Sequence, residues 1–298
     1  MINDLIKSLK EKNVECVREL PLSPHSTFRT GGVAELGVFP TSVEELVFCL
    51  SEANKRALPY YVLGNGSNVL FRDGELSGVF IFVRGLHSIS IDKNIITAEA
   101  GATLSSLAGA AADASLCGLE FAKSIPGCVG GALFMNAGAY GGQISDVVIS
   151  STCYDVKNKK ILTLTDHGFG YRESIYEKDR SLVCLSAKFR LTEGNTQEIH
   201  EKMREFADKR RRSQPLEFPS CGSYFKRPEG HFAGKLIEDC GLKGLTVGGA
   251  SVSEKHAGFI INRDNATASD ILELEKKVIA AVYEKFGVKL EREVRVIG

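Results

Sequence analysis

The 298 residues, 43% hydrophobic and 25% charged, suffice for two or three lobes with a sizeable core and have the balance of a globular protein. Lysine plus arginine equals aspartate plus glutamate at 37 each, which argues against a general binder of nucleic acid or membrane surface, since either would carry a basic excess. No apolar run approaches the roughly 20 residues of a membrane span, and the opening Met-Ile-Asn-Asp-Leu-Ile-Lys lacks a basic stretch followed by an apolar core, so no anchor and no signal peptide are expected.

Ile2, Leu5, Ile6 and Leu9 recur at helical spacing and predict a short amphipathic helix at the start. A proline-containing loop leads to Thr27-Phe28-Arg29-Thr30-Gly31-Gly32, which alone reads as a turn. Thr41 and Ser42 each have a glutamate three residues on, the pattern of a capping box, and predict a helix running to about Arg56 with Pro59 beyond it. Tyr60–Leu63 is an apolar strand, and Leu63-Gly64-Asn65-Gly66-Ser67-Asn68-Val69-Leu70 reads as strand, loop, strand. That loop lacks the third glycine and the following helix of a dinucleotide fingerprint, but it can still turn several N–H groups toward an anion.

Val79–Val83, Ile89–Ile91 and Ile95–Ala100 are short β-type runs, followed by a helix from Leu104 to Leu116 that is apolar on one face. Six glycines then crowd the stretch Ser124–Gly142. Glycine is costly in a regular element, so this density calls for a reason, and close backbone approach to a ligand is one. If Pro126-Gly127 opens a helix, its first N–H groups would face outward as a site for phosphate. A glycine-rich connection without a ligand is the other reading, and composition alone leaves both open.

Val147–Val156, Ile161–Thr165 and Ser181–Leu191 are the next predicted strands, with a turn at Asn158-Lys159. Asn195 and Glu198 open a helix that ends in Lys209-Arg210-Arg211-Arg212, cations either favoured by the helix dipole or meeting an acidic substrate. Ser213-Gln214-Pro215 breaks it. A helix at Gly234–Cys240, a strand at Gly258–Asn262, and a long helix from Ala268 to Phe286 follow. Ile271, Leu274, Val278, Ala281, Val282 and Phe286 form the core-facing stripe of that last helix, and Val288–Ile297 closes the chain as a strand. The order lacks the regular alternation of a doubly wound sheet, so the fold class is α+β.

Eight cysteines without a C-x-x-C pair and six scattered histidines argue for reduced, buried thiols in the cytoplasm and against a disulfide framework or a metal site. A thiol transferase using Cys221 and His256 is a weak alternative, because nothing in the sequence places the two together.

Three segments taken in series, Leu-Gly-Asn-Gly-Ser-Asn-Val-Leu, Ile-Pro-Gly-Cys-Val-Gly-Gly-Ala and Met-Asn-Ala-Gly-Ala-Tyr-Gly, resemble the FAD-binding segments of the UDP-N-acetylenolpyruvoylglucosamine reductase (MurB) family. The resemblance runs from about Thr27 to the C-terminus. It implies an FAD-binding fold of the vanillyl-alcohol-oxidase/PCMH type in two α/β lobes, residues 1–62 and 63–195, followed by an α+β substrate-binding domain, 196–298. It implies non-covalent FAD, NADPH as co-substrate, a UDP-sugar substrate and a place in peptidoglycan synthesis; the sequence does not give the oligomeric state, for which a monomer is the expectation. Arg29, Gly64, Asn65, Gly66, Ser67, Asn68, Ile125, Pro126, Gly127, Gly130, Gly131, Asn136, Ala137 and Gly138 would bind the cofactor. Tyr171, Lys226, Lys235, Asn262 and Arg295 would bind the substrate.

The resemblance also assigns catalysis to Arg172, Ser223 and Glu293, which alone would read as a loop arginine, a turn serine and an exposed strand glutamate. In the implied reaction a hydride reaches the vinyl carbon and negative charge builds on its neighbour and on the carboxylate. An arginine can clamp that carboxylate with two parallel hydrogen bonds. A serine can protonate only a strongly basic intermediate, and a glutamic acid can assist it. The sequence departs from the usual wording at Ser124, Asn65 and Cys128, where a glycine, a glycine and a hydroxyl residue are frequent. It is too short for the insert whose tyrosine covers the substrate, which points to the shorter subtype. Rival readings are another oxidoreductase on the same flavin fold, acting on a hydroxy acid or sugar, and a nucleotide-binding module without redox activity.

Overall fold

A computed structural model describes Met1–Gly298. The chain divides into two compact units, one of Met1–Arg18, Leu36–Asn65 and Gly78–Arg210, the other of Glu19–Glu35, Gly66–Ser77 and Arg211–Gly298.

The first unit has two cores. In one, the helices Ile2–Glu11 and Val43–Lys55 bury Leu5, Leu9, Leu46, Cys49 and Leu50 against Val79, Ile81 and Leu185. The N-terminal capping of Val43–Lys55 follows from its sequence: the Glu45 amide donates to the Ser42 hydroxyl at 3.2 Å, and the Glu45 carboxylate accepts from the Thr41 amide at 2.7 Å. Tyr60–Leu63 lies parallel to Glu75–Phe82 in the adjoining sheet.

The other core sits on a five-stranded antiparallel sheet in the order Lys160–Leu164, Val148–Asp155, Leu182–Arg190, Ile95–Glu99, Ile89–Asp92. The expected turn at Asn158-Lys159 joins its first hairpin, with Lys159 at φ 54° and the Asp155 carboxylate accepting from the Asn158 amide. The helices Leu104–Asp113, Val129–Met135 and Thr196–Ser213 cover the sheet with Leu107, Ala111, Val129, Leu133, Ile199 and Phe206. The helix expected to open the substrate domain at 196 therefore packs through Ile199, Met203 and Phe206 into the core of the first unit, and the compact units part at Arg210 and Arg211.

In the second unit the helix Ala268–Phe286 packs on the sheet Thr246–Val247, Ala250–Val252, Ile260–Asn262 and on the helix Ala233–Asp239. Its capping box is complete: the Asp270 amide donates to the Thr267 hydroxyl, and the Asp270 carboxylate accepts from the Thr267 amide. The expected terminal strand Val288–Ile297 shortens to Arg295–Ile297, parallel to Val69–Phe71, because only those residues meet a partner long enough to ladder. Upstream, Arg292 makes an isolated bridge with Phe225. The expected helix over 104–116 stops at Asp113, where Ser115 takes a positive φ of 59° and Leu116–Cys117 pairs with Thr192–Glu193. Mixed strands and helices without regular alternation make this an α+β fold, as expected.

Candidate active site

In the first unit the two glycine-rich loops meet. The Asn65 side-chain amide donates to the Pro126 carbonyl at 3.2 Å, and the Cys128 thiol accepts from the main-chain amides of Asn65 and Gly131. Contact is so close that a Cβ on Gly64 would stand 2.0 Å from the Cys128 sulfur. Gly64, Asn65, Ile125, Pro126, Gly127, Gly130 and Gly131 thus form one cluster of backbone, with Ile125 and Ala137 as partly exposed apolar patches at its side.

The expected phosphate site at a helix opened by Pro126-Gly127 is not what forms. The helix starts at Val129, is seven residues long, and its first amides are engaged from within: Val129 donates to the Ala102 carbonyl at 2.9 Å and Gly130 to the Ala100 carbonyl at 2.8 Å. Short flanking strands and turns supply carbonyls close enough to take these donors, so neither amide is left for an anion.

The far end of that helix positions the arginine. Asn136 caps it in the left-handed conformation, φ 42°, and is 3% exposed. Its amide donates to the Gly170 carbonyl at 3.1 Å while its oxygen accepts from the Ser145 amide at 3.0 Å. Both ends of the side chain are taken, so Asn136 can reach a cofactor only by its main chain. Gly170 and Glu173 exchange backbone hydrogen bonds, making a tight turn with Tyr171 and Arg172 at its tip. The Ser174 hydroxyl, on a fully buried residue, ties the foot of the turn to the Phe134 carbonyl at 2.9 Å. Arg172 sits at φ 60° with its guanidinium nitrogens 3.5 and 3.4 Å from the carbonyls of Asn136 and Gly138, and stands 5.3 Å from the ring centroid of Tyr171. Both hydrogen bonds are long. The basic run at the end of Thr196–Ser213 is partly used here as well, because Arg210 donates to the Ser124 carbonyl.

In the second unit Cys221 is the junction. Its thiol lies 3.4 Å from the Thr27 hydroxyl, 3.3 Å from the Val69 carbonyl and 3.8 Å from the Gly66 carbonyl. Gly66, Ser67 and Asn68 therefore lie beside the Thr27–Arg29 segment and the loop that carries Ser223. Asn68 extends the cluster: its amide donates to the Glu293 carbonyl at 3.2 Å, and its carbonyl accepts from the Arg295 amide at 2.9 Å. Ser223 is exposed between buried Cys221 and buried Tyr224, so a fixed backbone presents its hydroxyl to the surface. The Glu293 amide donates to the Tyr224 carbonyl and the Lys226 amide to the Glu291 carbonyl, both at 2.8 Å, which brings Ser223 and Glu293 to neighbouring positions.

Other expected ligands divide. Lys226 is half-buried and pairs with Glu291 at 3.4 Å, on the same segment as Ser223. Arg29, exposed at φ 53°, follows the fully buried Phe28. Asn262 is 7% exposed, its amide donating to the Phe28 carbonyl at 2.9 Å and its oxygen accepting from the Ala266 amide at 2.8 Å, so it serves as an internal brace. Lys235 lies on the surface of Ala233–Asp239, paired with Asp239 at i,i+4, and joins none of these clusters. Burial pushes the Cys221 thiol up to about 11, which keeps it protonated and unreactive, and the His256 ring accepts from the Gly258 amide, so the thiol-transferase alternative has no support.

The residues the sequence did not single out are Ser174, the brace of the arginine turn, and Glu275. The Tyr224 hydroxyl donates to Glu275 at 2.8 Å, and burial together with that carboxylate raises the phenol far above its ordinary range. The signal for Glu275 was present: it is an acidic residue at a core position, four residues after Ile271 and three before Val278.

A family model described as the UDP-N-acetylenolpyruvoylglucosamine reductase C-terminal domain matches residues 214–297, and one described as an FAD binding domain matches 34–165. The UDP-N-acetylenolpyruvoylglucosamine reductase of Clostridium perfringens is 47% identical over 279 residues, which are 93% of this chain and 91% of the relative. That of Latilactobacillus sakei is 48% identical over 93% of this chain and 92% of its own. Among solved structures, the MurB reductase from Thermus caldophilus aligns with a TM-score of 0.80 and 34% identity, covering 96% of this chain and 99% of that one. Phl p 4, a grass pollen allergen with glucose dehydrogenase activity, aligns over 65% of this chain and 45% of its own with a TM-score of 0.50 and 14% identity, a likeness of fold alone.

Proposed function

The chain belongs to the UDP-N-acetylenolpyruvoylglucosamine reductase family, and on that premise we propose that it reduces UDP-N-acetylenolpyruvoylglucosamine to UDP-N-acetylmuramate with NADPH and non-covalent FAD, a step in making peptidoglycan precursor. The observation that carries this reading is the identity of 47–48% with reductases of that name along 93% of the chain.

The residues present fit a flavin dinucleotide. The Ser124 hydroxyl oxygen is buried without a partner beside the Ile125–Gly131 loop, the kind of orphan a bound group would satisfy. In the first unit, main chain at Gly64 and Asn65 and from Ile125 to Gly127 would hold it, with Ile125 and Ala137 offering apolar surface to a ring. When bound, FAD supplies the hydride chemistry, accepting from NADPH and delivering to the vinyl carbon of the substrate.

Arg172 then takes the substrate carboxylate, exchanging its long contacts to the Asn136 and Gly138 carbonyls for a paired clamp, and stays charged as negative charge grows there. Ser223 gives its hydroxyl proton to the carbon next to the one that received the hydride. Hydride and proton together saturate the double bond, and exposed Ser223 regains its proton from water. Glu293 shares the charge of the intermediate by hydrogen bonding. Lys226 and Arg295 remain candidates for the diphosphate and carboxylate of the UDP-sugar, whereas Asn262 supports the site from beneath.

We place the enzyme in the cytoplasm, because all eight cysteines are free, as suits a reducing compartment. Separate cores in the first unit support two flavin-side lobes.

An anaerobic titration tests the reading. The purified protein should be yellow, bleach with NADPH, and regain its colour with UDP-N-acetylenolpyruvoylglucosamine. A colourless protein, or one reoxidised equally well by an unrelated hydroxy acid or sugar acceptor, would overturn it.

A further inference from the structure

Glu275 is an acid where the helix Ala268–Phe286 otherwise turns apolar side chains inward. Ile271, Val278 and Val282, at its i−4, i+3 and i+7 positions, are fully buried, and Glu275 itself is only 8% exposed. A carboxylate so placed is strongly unfavourable unless it is paired and hydrogen-bonded. It has two partners on one oxygen: the Tyr224 hydroxyl donates at 2.8 Å, and an Arg292 guanidinium nitrogen lies at 3.3 Å. Arg292 also reaches the Tyr224 hydroxyl.

Each partner is the sequence neighbour of a residue in the proposed chemistry. Tyr224 follows Ser223, and Arg292 precedes Glu293. Their backbones are already in register, with Glu293 donating to Tyr224 and Phe225 opposite Arg292. Ring contacts to Phe28 at 6.3 Å and Phe225 at 5.1 Å, both edge-on, pack the faces and edges of the Tyr224 ring, and the hydrogen bond to Glu275 anchors its tip. Stability alone does not explain the acid, since a buried ionic network is often no more stabilising than a well-packed apolar replacement.

We propose that Glu275 is a positioning residue for the reduction: by holding Tyr224 and Arg292 on one carboxylate oxygen, it fixes the two backbone segments that present Ser223 and Glu293. The proposal deepens the catalytic reading above and rests on the roles given there to Ser223 and Glu293.

The test compares Glu275→Leu, Glu275→Gln and Tyr224→Phe in the full-length, FAD-loaded enzyme by anaerobic stopped flow. Glu275→Leu should keep its flavin and be reduced by NADPH within about twofold of the parent, while reoxidation by UDP-N-acetylenolpyruvoylglucosamine falls about 10- to 100-fold, the range for a small misplacement of reacting groups. Reoxidation should also show a larger solvent deuterium isotope effect, which a residue that merely fills the core would leave unmoved. Glu275→Gln keeps an acceptor for Tyr224 and should recover most of the rate. Tyr224→Phe removes the same hydrogen bond with little change of shape, and should show the selective loss even if Glu275→Leu fails to fold. Reoxidation unchanged in the Leu and Phe variants, equal loss in both half-reactions, or no recovery with Gln would overturn the proposal. Ser223→Ala is run alongside. If it does not slow reoxidation, the catalytic reading fails and this proposal falls with it; if it does and the other variants do not, the positioning role alone is wrong.

Discussion

The backbone amide of Glu293 donates to the carbonyl of Tyr224 at 2.8 Å, joining two segments almost seventy residues apart in the chain. One segment carries Ser223 and the other Glu293, so main chain brings the two residues to adjacent positions, and the contacts of Glu275 with Tyr224 and Arg292 brace the same two segments. Main-chain pairing of this kind is stiffer than a contact between long side chains, because no rotamer freedom has to be lost for it to hold.

Gly64 and Cys128 make the junction of the two glycine loops a matter of volume. An added methyl at Gly64 would collide with the Cys128 sulfur at 2.0 Å, while the next atom, the Cys128 Cβ, stands at an ordinary 3.5 Å. Gly64→Ala should therefore destabilise by about 1–3 kcal/mol and reduce retained FAD. Cys128→Ala removes the colliding atom, so the double variant should recover most of the lost melting temperature and flavin content. Simple addition of the two single losses would contradict this.

Ser124 offers a cheaper probe of the cofactor site. Its buried, unpartnered oxygen should be hydrogen-bonded when FAD binds, and Ser124→Ala should weaken FAD affinity by about 5- to 10-fold, the worth of one hydrogen bond, without lowering the melting point of the flavin-free protein. Isothermal titration of the flavin-free protein with FAD measures it. Unchanged affinity would place the hydroxyl outside the cofactor's reach.

His167 predicts a dependence on pH. It is 4% exposed, its Nε2 lies 2.7 Å from the Ser151 hydroxyl, and it stacks on Phe169. Burial lowers its pKa against a smaller opposing pull from Asp166. With the folded value below the unfolded one near about 6.5, the unfolded chain binds a proton that the native state refuses. Stability is then full above that pH and declines as pH falls below it. His256, also lowered by burial, adds to the same slope. The melting temperature should drop on acidification, and His167→Gln should flatten the drop without abolishing it. A slope unchanged in the variant would contradict the assignment.

Much of this was readable from local pattern. Capping residues at Ser42 and Asn195 and the apolar stripe of Ala268–Phe286 placed the long helices because those signals lie within a few residues of what they control. Phe286, expected in the stripe, is instead 39% exposed in the last turn of the helix, while Glu275 within the stripe is buried. Where the first amides of Val129–Met135 point, and why Asn136 and Asn262 act as braces, depended on carbonyls from remote segments. Periodicity carries no information about those partners. The terminal strand failed for the same reason, since alternation continued past the end of its partner.

The most direct measurement is the rate of each half-reaction in Ser223→Ala, followed by flavin absorbance under anaerobic stopped flow. Reduction by NADPH should match the parent, and reoxidation by UDP-N-acetylenolpyruvoylglucosamine should slow by about 10² or more, as for loss of a proton donor. Equal slowing of both steps, or reoxidation at the parent rate, would contradict Ser223 as the source of the proton.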